Sequence, residues 1–254
     1  MFKNKKIGLA LGGGAVLGAA HIGVIRAFEE FNISVDSVAG TSIGAMVAAL
    51  YAFGKSWQDI KDIALDLDWW DISAMSLSQY GLLSNKKMDQ LFAQHLGPVT
   101  FEDARIPLAI IATDVGKGEK VVLHKGSVSK AVMASTCIPG LFVPVEYEER
   151  LLVDGGVMEN VPIPSIKEMK ADYTIGVDLN ASQSFKKPDN IIDVLINTIN
   201  ITLLHATKLQ TEEADLIIVP DLSAFNVIDT DQVADLIEKG YEDTKTVLQK
   251  HFKI

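Results

Sequence analysis

The sequence predicts an α/β fold of three layers, α/β/α, with a mainly parallel sheet between helices. Three observations predict it. Short apolar runs alternate with longer stretches of helical spacing, the pattern of strand–helix–strand units. Two runs carry no formal charge, Ile7–Ile25 (19 residues) and Ser37–Gly54 (18 residues), and both are broken by glycines. No Pro/Gly/Ser-rich linker and no repeat divides the chain, so residues 1–254 read as one domain.

The elements follow in order. Lys6–Leu11 is a strand that ends on Gly12-Gly13-Gly14, and Val16–Phe31 is the helix after it, with Glu29 and Glu30 on its polar side. Lys3, Lys5 and Lys6 ahead of this run resemble an export signal or the flank of a membrane span. Its six glycines each cost about 1 kcal/mol against alanine in a helix, which argues for a buried strand–turn–helix unit instead. Ser37–Ala39 is a short strand and Ile43–Tyr51 the next helix. Ser56–Thr100 interrupts the rhythm. It holds all three tryptophans (Trp57, Trp69 and Trp70) and no good strand, and reads as a helical insertion or cap. Leu108–Thr113 is a strand, Val121–His124 an edge strand and Val128–Ala134 a short helix. Val143–Tyr147 and Arg150–Val153 pair around Glu148-Glu149. Thr174–Leu179 and Leu216–Val219 are apolar strands on either side of a long helix, Ile191–Glu213. Asp229–Lys250 closes the chain as an amphipathic helix, capped by Asp229 or Thr230.

Composition excludes whole classes of function. With 48% hydrophobic and 22% charged residues the chain is not disordered. The formal charge of −10 and the lack of a basic cluster argue against nucleic acid as a partner. The single cysteine, Cys137, allows no internal disulfide and suits a reducing, cytoplasmic setting. None of the five histidines (His21, His95, His124, His205, His251) has metal-ligand spacing to another ligand. The glycine run does not fit the dinucleotide pattern G-x-G-x-x-G in either register, since Leu17 or Ala15 falls on a required glycine. Neither a metal nor a cofactor is expected.

The chemistry lies elsewhere. Gly40-Thr41-Ser42-Ile43-Gly44 matches G-x-S-x-G between an apolar strand and a helix, the context in which that motif lifts a serine onto a strained turn. Gly40 and Gly44 let neighbouring backbone pass, and the helix N-terminus favours developing negative charge. The backbone amides of Gly12, Gly13, Gly14 and Ala15 are the candidate oxyanion donors. Asp154-Gly155-Gly156 ends the strand candidate Arg150–Val153. From spacing alone, Asp154 is equally a site carboxylate and a turn aspartate bonded to its own backbone.

These motifs together resemble the bacterial patatin-like phospholipases, which combine a glycine-rich loop, G-x-S-x-G and D-G-[AG]. The matching blocks are Ile7–Glu30, with Ala20-His21-Ile22-Gly23-Val24; Ala39–Leu50; and Ala134–Val161, with Ser135 through Pro144 and Val153-Asp154-Gly155-Gly156-Val157. Asn160-Val161-Pro162 also fits. The resemblance runs from Lys6 to about Pro220, and Ser56–Thr100 corresponds to the family's variable part. It implies a Ser42–Asp154 dyad without histidine, an acyl-enzyme, and Gly18, Gly40, Gly44, Gly155 and Gly156 as supports. It also implies a lipid or other acyl-ester substrate reached through transient membrane-surface contact, for which Trp69 and Trp70 offer apolar anchors. The chain departs from the family loop G-G-G-x-[RK]-G by Ala15 at its third glycine and Leu17 at its basic residue. Loss of that cation bears on phospholipid preference more than on ester hydrolysis.

Two other readings of the motifs stand beside this one. In an α/β-hydrolase triad, Ser42 and Asp154 would act with His205 or His251. In a catalytically weak or inactive regulator, the fold would bind lipid or protein. His21 is read as a brace for the loop and Cys137 as an apolar wall residue. Asp114 and Asp178 end strands but are read as structural, Ile138-Pro139-Gly140 as a shaper of the acyl pocket, and the acidic residues of the last helix as a solvated face.

Overall fold

A computed structural model of the chain describes residues 5–66, 74–78, 81–84, 86–182, 187–189 and 191–253. The described elements run β1 (Ile7–Leu11), α1 (Ala20–Glu30), β2 (Ser37–Thr41), α2 (Ile43–Ala52), α3 (Trp57–Asp66), β3 (Ala74–Ser78), β4 (Gly81–Ser84) and α4 (Lys86–His95). They continue with β5 (Leu108–Asp114), β6 (Glu119–Leu123), α5 (Val128–Ser135), β7 (Gly140–Phe142), β8 (Val145–Tyr147), β9 (Arg150–Asp154) and α6 (Ile163–Glu168). The last are β10 (Tyr173–Val177), α7 (Ile191–Thr211), β11 (Leu216–Ile218) and α8 (Val233–Phe252).

The main sheet has the order β11-β10-β1-β2-β5-β9-β8, with β6 on the far edge of β5. The pairs from β11 to β5 are all parallel; β6, β8 and β9 are antiparallel additions. The expected α/β class with a mainly parallel sheet is what the chain adopts. β1 lies between β10 and β2 with all five residues buried, which is why its sequence is apolar throughout rather than alternating.

Strand parity separates two unequal cores. Leu9, Leu11, Val38, Ile110, Ile175 and Val177 face the layer of α1, α2 and α8 and belong to the principal core. The opposite face carries Gly8, Ala10, Ala39, Ala109 and Gly176, and short α6 lies on it through Ile163 and Ile166, both fully buried. Small sheet residues are needed because α6 sits so close. A Cβ on Gly8 would stand 2.6 Å from Ile166 Cγ1, and one on Gly176 2.9 Å from Ile163 Cδ1. Burying each isoleucine side chain is worth about 1.5–3 kcal/mol. On the other face α1 and α8 cross backbone to backbone: a Cβ on Gly23 would lie 2.1 Å from Ile237 O, and one on Gly240 2.2 Å from Ala20 O. The glycine that looked like a helix breaker is thus the crossing point of two helices.

Several boundaries differ from the expectation. The single helix Val16–Phe31 begins as a 3-10 turn, Ala15–Ala19, before α1 starts, because the backbone leaves the glycine run in an irregular conformation. The strand expected over Val143–Tyr147 is shortened to β8, and β7, just before it, belongs to the other sheet. Asp229 caps a 3-10 turn, Thr230–Gln232, that leads into α8. α6 carried too short an apolar pattern to be anticipated.

The insertion, expected to lack a good strand, contains two. β3 and β4 form an antiparallel pair and β7 adds to β4 in parallel, making a second, three-stranded sheet. Met75 and Leu77 do alternate with Ser76 and Ser78, but these are weak strand formers. β3 pairs with its neighbour β4, and β4 takes the distant β7 on its other side, a partner that local propensity does not report. Trp57, on α3, packs against the principal core under the Arg26 guanidinium, 5.0 Å from its ring centre. Trp69 and Trp70 lie outside the described residues. Among the described residues, no helix is long and apolar enough to cross a membrane.

Candidate active site

β5 is the pivot of the site. β6 pairs along one of its edges. On the other edge β2 pairs with the first half, placing Thr41 opposite Ile111, and β9 with the second half, placing Asp154 opposite Ala112. β2 runs parallel to β5 and β9 antiparallel, so their carboxyl ends meet head to head at consecutive rungs. Ser42 follows the end of one strand and Asp154 is the end of the other. Their side chains touch: Ser42 Oγ donates to Asp154 Oδ2 at 2.6 Å.

Ser42 sits at φ 54°, ψ −126°, the left-handed side of backbone space, between the end of β2 and the start of α2. Such a backbone costs a residue with a Cβ about 1–3 kcal/mol and persists where its surroundings hold it. The surroundings are specific. Ser42 N–H donates to Ser135 Oγ at 2.8 Å, and Ser42 O accepts from Ala45 N at 2.9 Å. Thr41 Oγ1 donates to Glu159 O at 2.8 Å. The flanking glycines are steric necessities: a Cβ on Gly40 would lie 2.4 Å from Gly44 O, and one on Gly44 2.2 Å from Leu11 O.

Asp154 is buried. Its Oδ1 accepts from Gly156 N at 2.8 Å, and Thr113 Oγ1 donates to its carbonyl at 3.0 Å. One carboxylate oxygen thus bonds its own turn and the other meets Ser42. Burial pushes its carboxyl up from 3.8 to about 6, against the bonds from Ser42 and Gly156 that favour the charged form. The paired glycines follow because a Cβ on Gly155 would lie 2.2 Å from Ile111 O, and one on Gly156 3.1 Å from Asp154 Oδ1.

The glycine-rich loop sits across from this pair, with Gly13 nearest: a Cβ there would be 3.2 Å from Ser42 Cβ. Its amides are not equivalent. Gly12 N–H is committed to Val177 O at 3.1 Å. Gly13 N–H donates to Asn160, through Oδ1 at 3.2 Å and main-chain O at 3.4 Å. The amides of Gly14 and Ala15 donate to no acceptor among the described residues. Ala15 adopts φ 49°, a left-handed angle that glycine tolerates better. Leu17 is fully buried in the principal core, so that position brings no cation to the site. Gly18 packs so tightly that a Cβ would meet Ile43 Cγ1 at 2.1 Å.

His21 braces this loop. Its Nε2–H donates to Gly12 O at 2.8 Å, and burial lowers it to about 4, so it is a neutral ring; Nδ1 has no partner among the described residues. His251 pairs with Tyr173 OH at 2.8 Å, at the amino end of β10 and away from the strand ends that carry Ser42 and Asp154. His205 is exposed on α7. Neither bonds to the Ser42–Asp154 pair among the described residues, whereas serine and aspartate contact each other directly.

Cys137 is buried, donates to Val143 O at 3.0 Å, and carries Asp154 N–H on its own carbonyl; burial and the Asp154 charge push its thiol up to about 12. Asp114 Oδ1 accepts from Gly116 N and Asp178 Oδ1 from Asn180 N, so both serve turns. Among the described residues, no group of three or more His, Cys, Asp or Glu is placed to hold a metal ion.

Three contributors carried no role in the sequence reading. Ser135 was visible only as part of a motif. Asn160 was noted for its fit. Asn180, whose Nδ2 donates to Gly13 O at 2.7 Å, was not seen at all. The signal for it was present, since it follows a strand end just as the motif residues Ser42 and Gly155 do.

Comparison with known proteins bears on the family and the fold. The family model described as patatin-like phospholipase matches residues 9–166. An uncharacterized NTE family protein of Mycobacterium tuberculosis is 36% identical over 184 residues, 71% of this chain and 51% of that one. Lysophospholipase NTE1 of Debaryomyces hansenii is 28% identical over 204 residues, 77% of this chain and 13% of that one. The chain thus spans about half the length of the mycobacterial relative and a small part of the yeast one. In fold it is similar to VipD from Legionella pneumophila (TM-score 0.61, 14% identity, 97% of this chain and 67% of that one). It is also similar to ExoU of Pseudomonas aeruginosa, solved with SpcU (TM-score 0.57, 17% identity, 98% and 53%). The chain belongs to the patatin-like phospholipase family.

Proposed function

We propose that the protein is a serine acyl hydrolase that cleaves carboxylic esters of lipids through a Ser42–Asp154 dyad. The observation that carries the reading is the 2.6 Å bond from Ser42 Oγ to Asp154 Oδ2, at the apex of a turn held in a strained conformation. The lipid substrate class rests on the family.

Ser42 Oγ attacks the ester carbonyl carbon while its proton passes to Asp154 Oδ2. The uncommitted amides of Gly14 and Ala15 stabilise the oxyanion; one such donor is worth about 3–4 kcal/mol in a serine hydrolase. Collapse breaks the C–O bond, and Asp154 returns the proton to the departing alkoxide. Water then attacks the acyl-enzyme, giving up a proton to Asp154, and the acid leaves as Ser42 regains its proton. A lone carboxylate is a weak base, and burial raises this one toward neutrality while leaving it mostly ionised at pH 7.

Contact with a lipid surface is supported by apolar exposure beside the site. Val157 and Met158, just past the Asp154 turn, are 39% and 41% exposed, and Leu209 of the adjoining α7 is 68% exposed.

Ser42→Ala and Asp154→Asn are each expected to abolish hydrolysis of a chromogenic acyl ester, with a fluorophosphonate probe labelling Ser42 in the folded wild type. Activity retained by either variant refutes the dyad. Folded protein that the probe leaves unlabelled favours a non-enzymatic binding role.

A further inference from the structure

We infer that Asn160 and Asn180 form a two-sided clamp on Gly13 that sets the direction of the oxyanion-stabilising amides, and that both are positioning residues for the reaction; this rests on the proposed hydrolase function. Gly13 is gripped from opposite sides by segments far away in sequence. Its N–H donates to Asn160 Oδ1 at 3.2 Å, and its carbonyl accepts from Asn180 Nδ2 at 2.7 Å. The partners fix both amide orientations, because a backbone N–H only donates and a backbone carbonyl only accepts.

The consequence follows from peptide geometry. Gly13 O and Gly14 N–H belong to one planar trans unit, in which C=O and N–H point to opposite sides. Holding Gly13 O on Asn180 therefore fixes the direction of Gly14 N–H. Drawing on the carbonyl oxygen also polarises the unit and makes that N–H a better donor. The next residue, Ala15, then enters its left-handed turn from a fixed starting plane.

The clamp is itself anchored. Asn160 is 4% exposed, and its N–H donates to Gln210 Oε1 at 3.1 Å, tying it to α7. Asn180 N–H donates to Asp178 Oδ1 at 2.9 Å at the end of β10. Gly13 must lack a side chain for this, since a Cβ would lie 2.8 Å from Asn160 Oδ1 as well as against Ser42.

The two asparagines are not equal in leverage. Without the Asn160 side chain, Gly13 N–H keeps the Asn160 main-chain oxygen at 3.4 Å. Without the Asn180 amide, Gly13 O loses the partner that fixes its plane.

The test uses the full chain and a chromogenic acyl ester. Asn180→Ala and Asn180→Asp, at a half-buried position, are expected to lower kcat about tenfold, the worth of one hydrogen bond, with KM within about twofold. The aspartate variant keeps the shape, removes the donor and adds a negative charge, and the alanine variant removes the donor without adding charge. Asn160→Ala is expected to lose less kcat than Asn180→Ala. Wild-type kcat in folded Asn180→Asp, or KM rising in step with the loss, overturns the clamp while leaving the hydrolase reading intact. If an Asn180 variant does not fold, Asn160→Ala is judged alone against the wild type, and an unchanged kcat overturns the proposal. A wild type inert toward both the ester and the fluorophosphonate probe overturns the hydrolase function and the clamp's role together.

Discussion

Replacing Asp154 with asparagine should destroy activity and at the same time stabilise the fold. The carboxylate is buried, and its folded-state value is pushed from 3.8 to about 6. At neutral pH it is ionised in both the folded and the unfolded chain, so the folded state alone bears the desolvation penalty. A shift of about two units corresponds to about 3 kcal/mol. Asparagine removes the charge, keeps an oxygen for Gly156 N–H, and offers an amide to Ser42 Oγ. For a chain of this size, about 3 kcal/mol corresponds to a rise of about 5–10 °C in Tm. The sign fixes the pH dependence. As pH falls through about 6, the folded wild type takes up a proton that the unfolded chain does not bind until about 3.8, so the penalty fades across that window. The assay is thermal and urea unfolding of wild type and Asp154→Asn at about pH 7.5 and about pH 4. The expected gap is near 3 kcal/mol at the higher pH and a fraction of 1 kcal/mol at the lower. A variant no more stable than wild type at about pH 7.5, or a gap of the same size at both, would refute the reasoning that burial of this charge is what raises the Asp154 carboxyl.

Two further outcomes follow from the turn geometry. Gly44→Ala places a Cβ 2.2 Å from Leu11 O and 2.6 Å from Gly12 O, both backbone atoms that cannot swing aside. It is expected to cost about 3–5 kcal/mol in urea unfolding, with hydrolysis lost as the turn is displaced. Ala15→Gly relieves a left-handed angle that costs alanine about 1–2 kcal/mol. Its Tm and kcat are expected to equal or exceed wild type; a fall in stability of more than about 1 kcal/mol would show that the Ala15 methyl contributes packing that outweighs the strain.

What could be read without a structure had a local physical cause. The run Gly12-Gly13-Gly14 after a strand, Ser42 in its glycine frame and Asp154 before two glycines each announce a turn where the backbone must pass close to something. The short apolar runs between helical stretches announced the sheet. The insertion was less legible, because β3 and β4 carry serine and glycine, and the third strand of their sheet, β7, comes from a distant segment. α6 was invisible because six residues hold too little pattern, and its close seat depends on Gly8 and Gly176 being small in other strands.

The sequence by itself determined that this chain builds a parallel α/β framework with a serine on a strained turn, because those features depend on residues near one another. It could not say whether the Asp154 side chain, besides bonding its own turn, meets the serine. That was decided when β2 and β9 met end to end on one edge of β5, a register between segments more than a hundred residues apart. Nor could it say which amides of the glycine loop remain uncommitted. Val177 and Asn160 decide that by accepting from Gly12 and Gly13 across distant segments, and hydrogen bonds between such segments have no local signature to read.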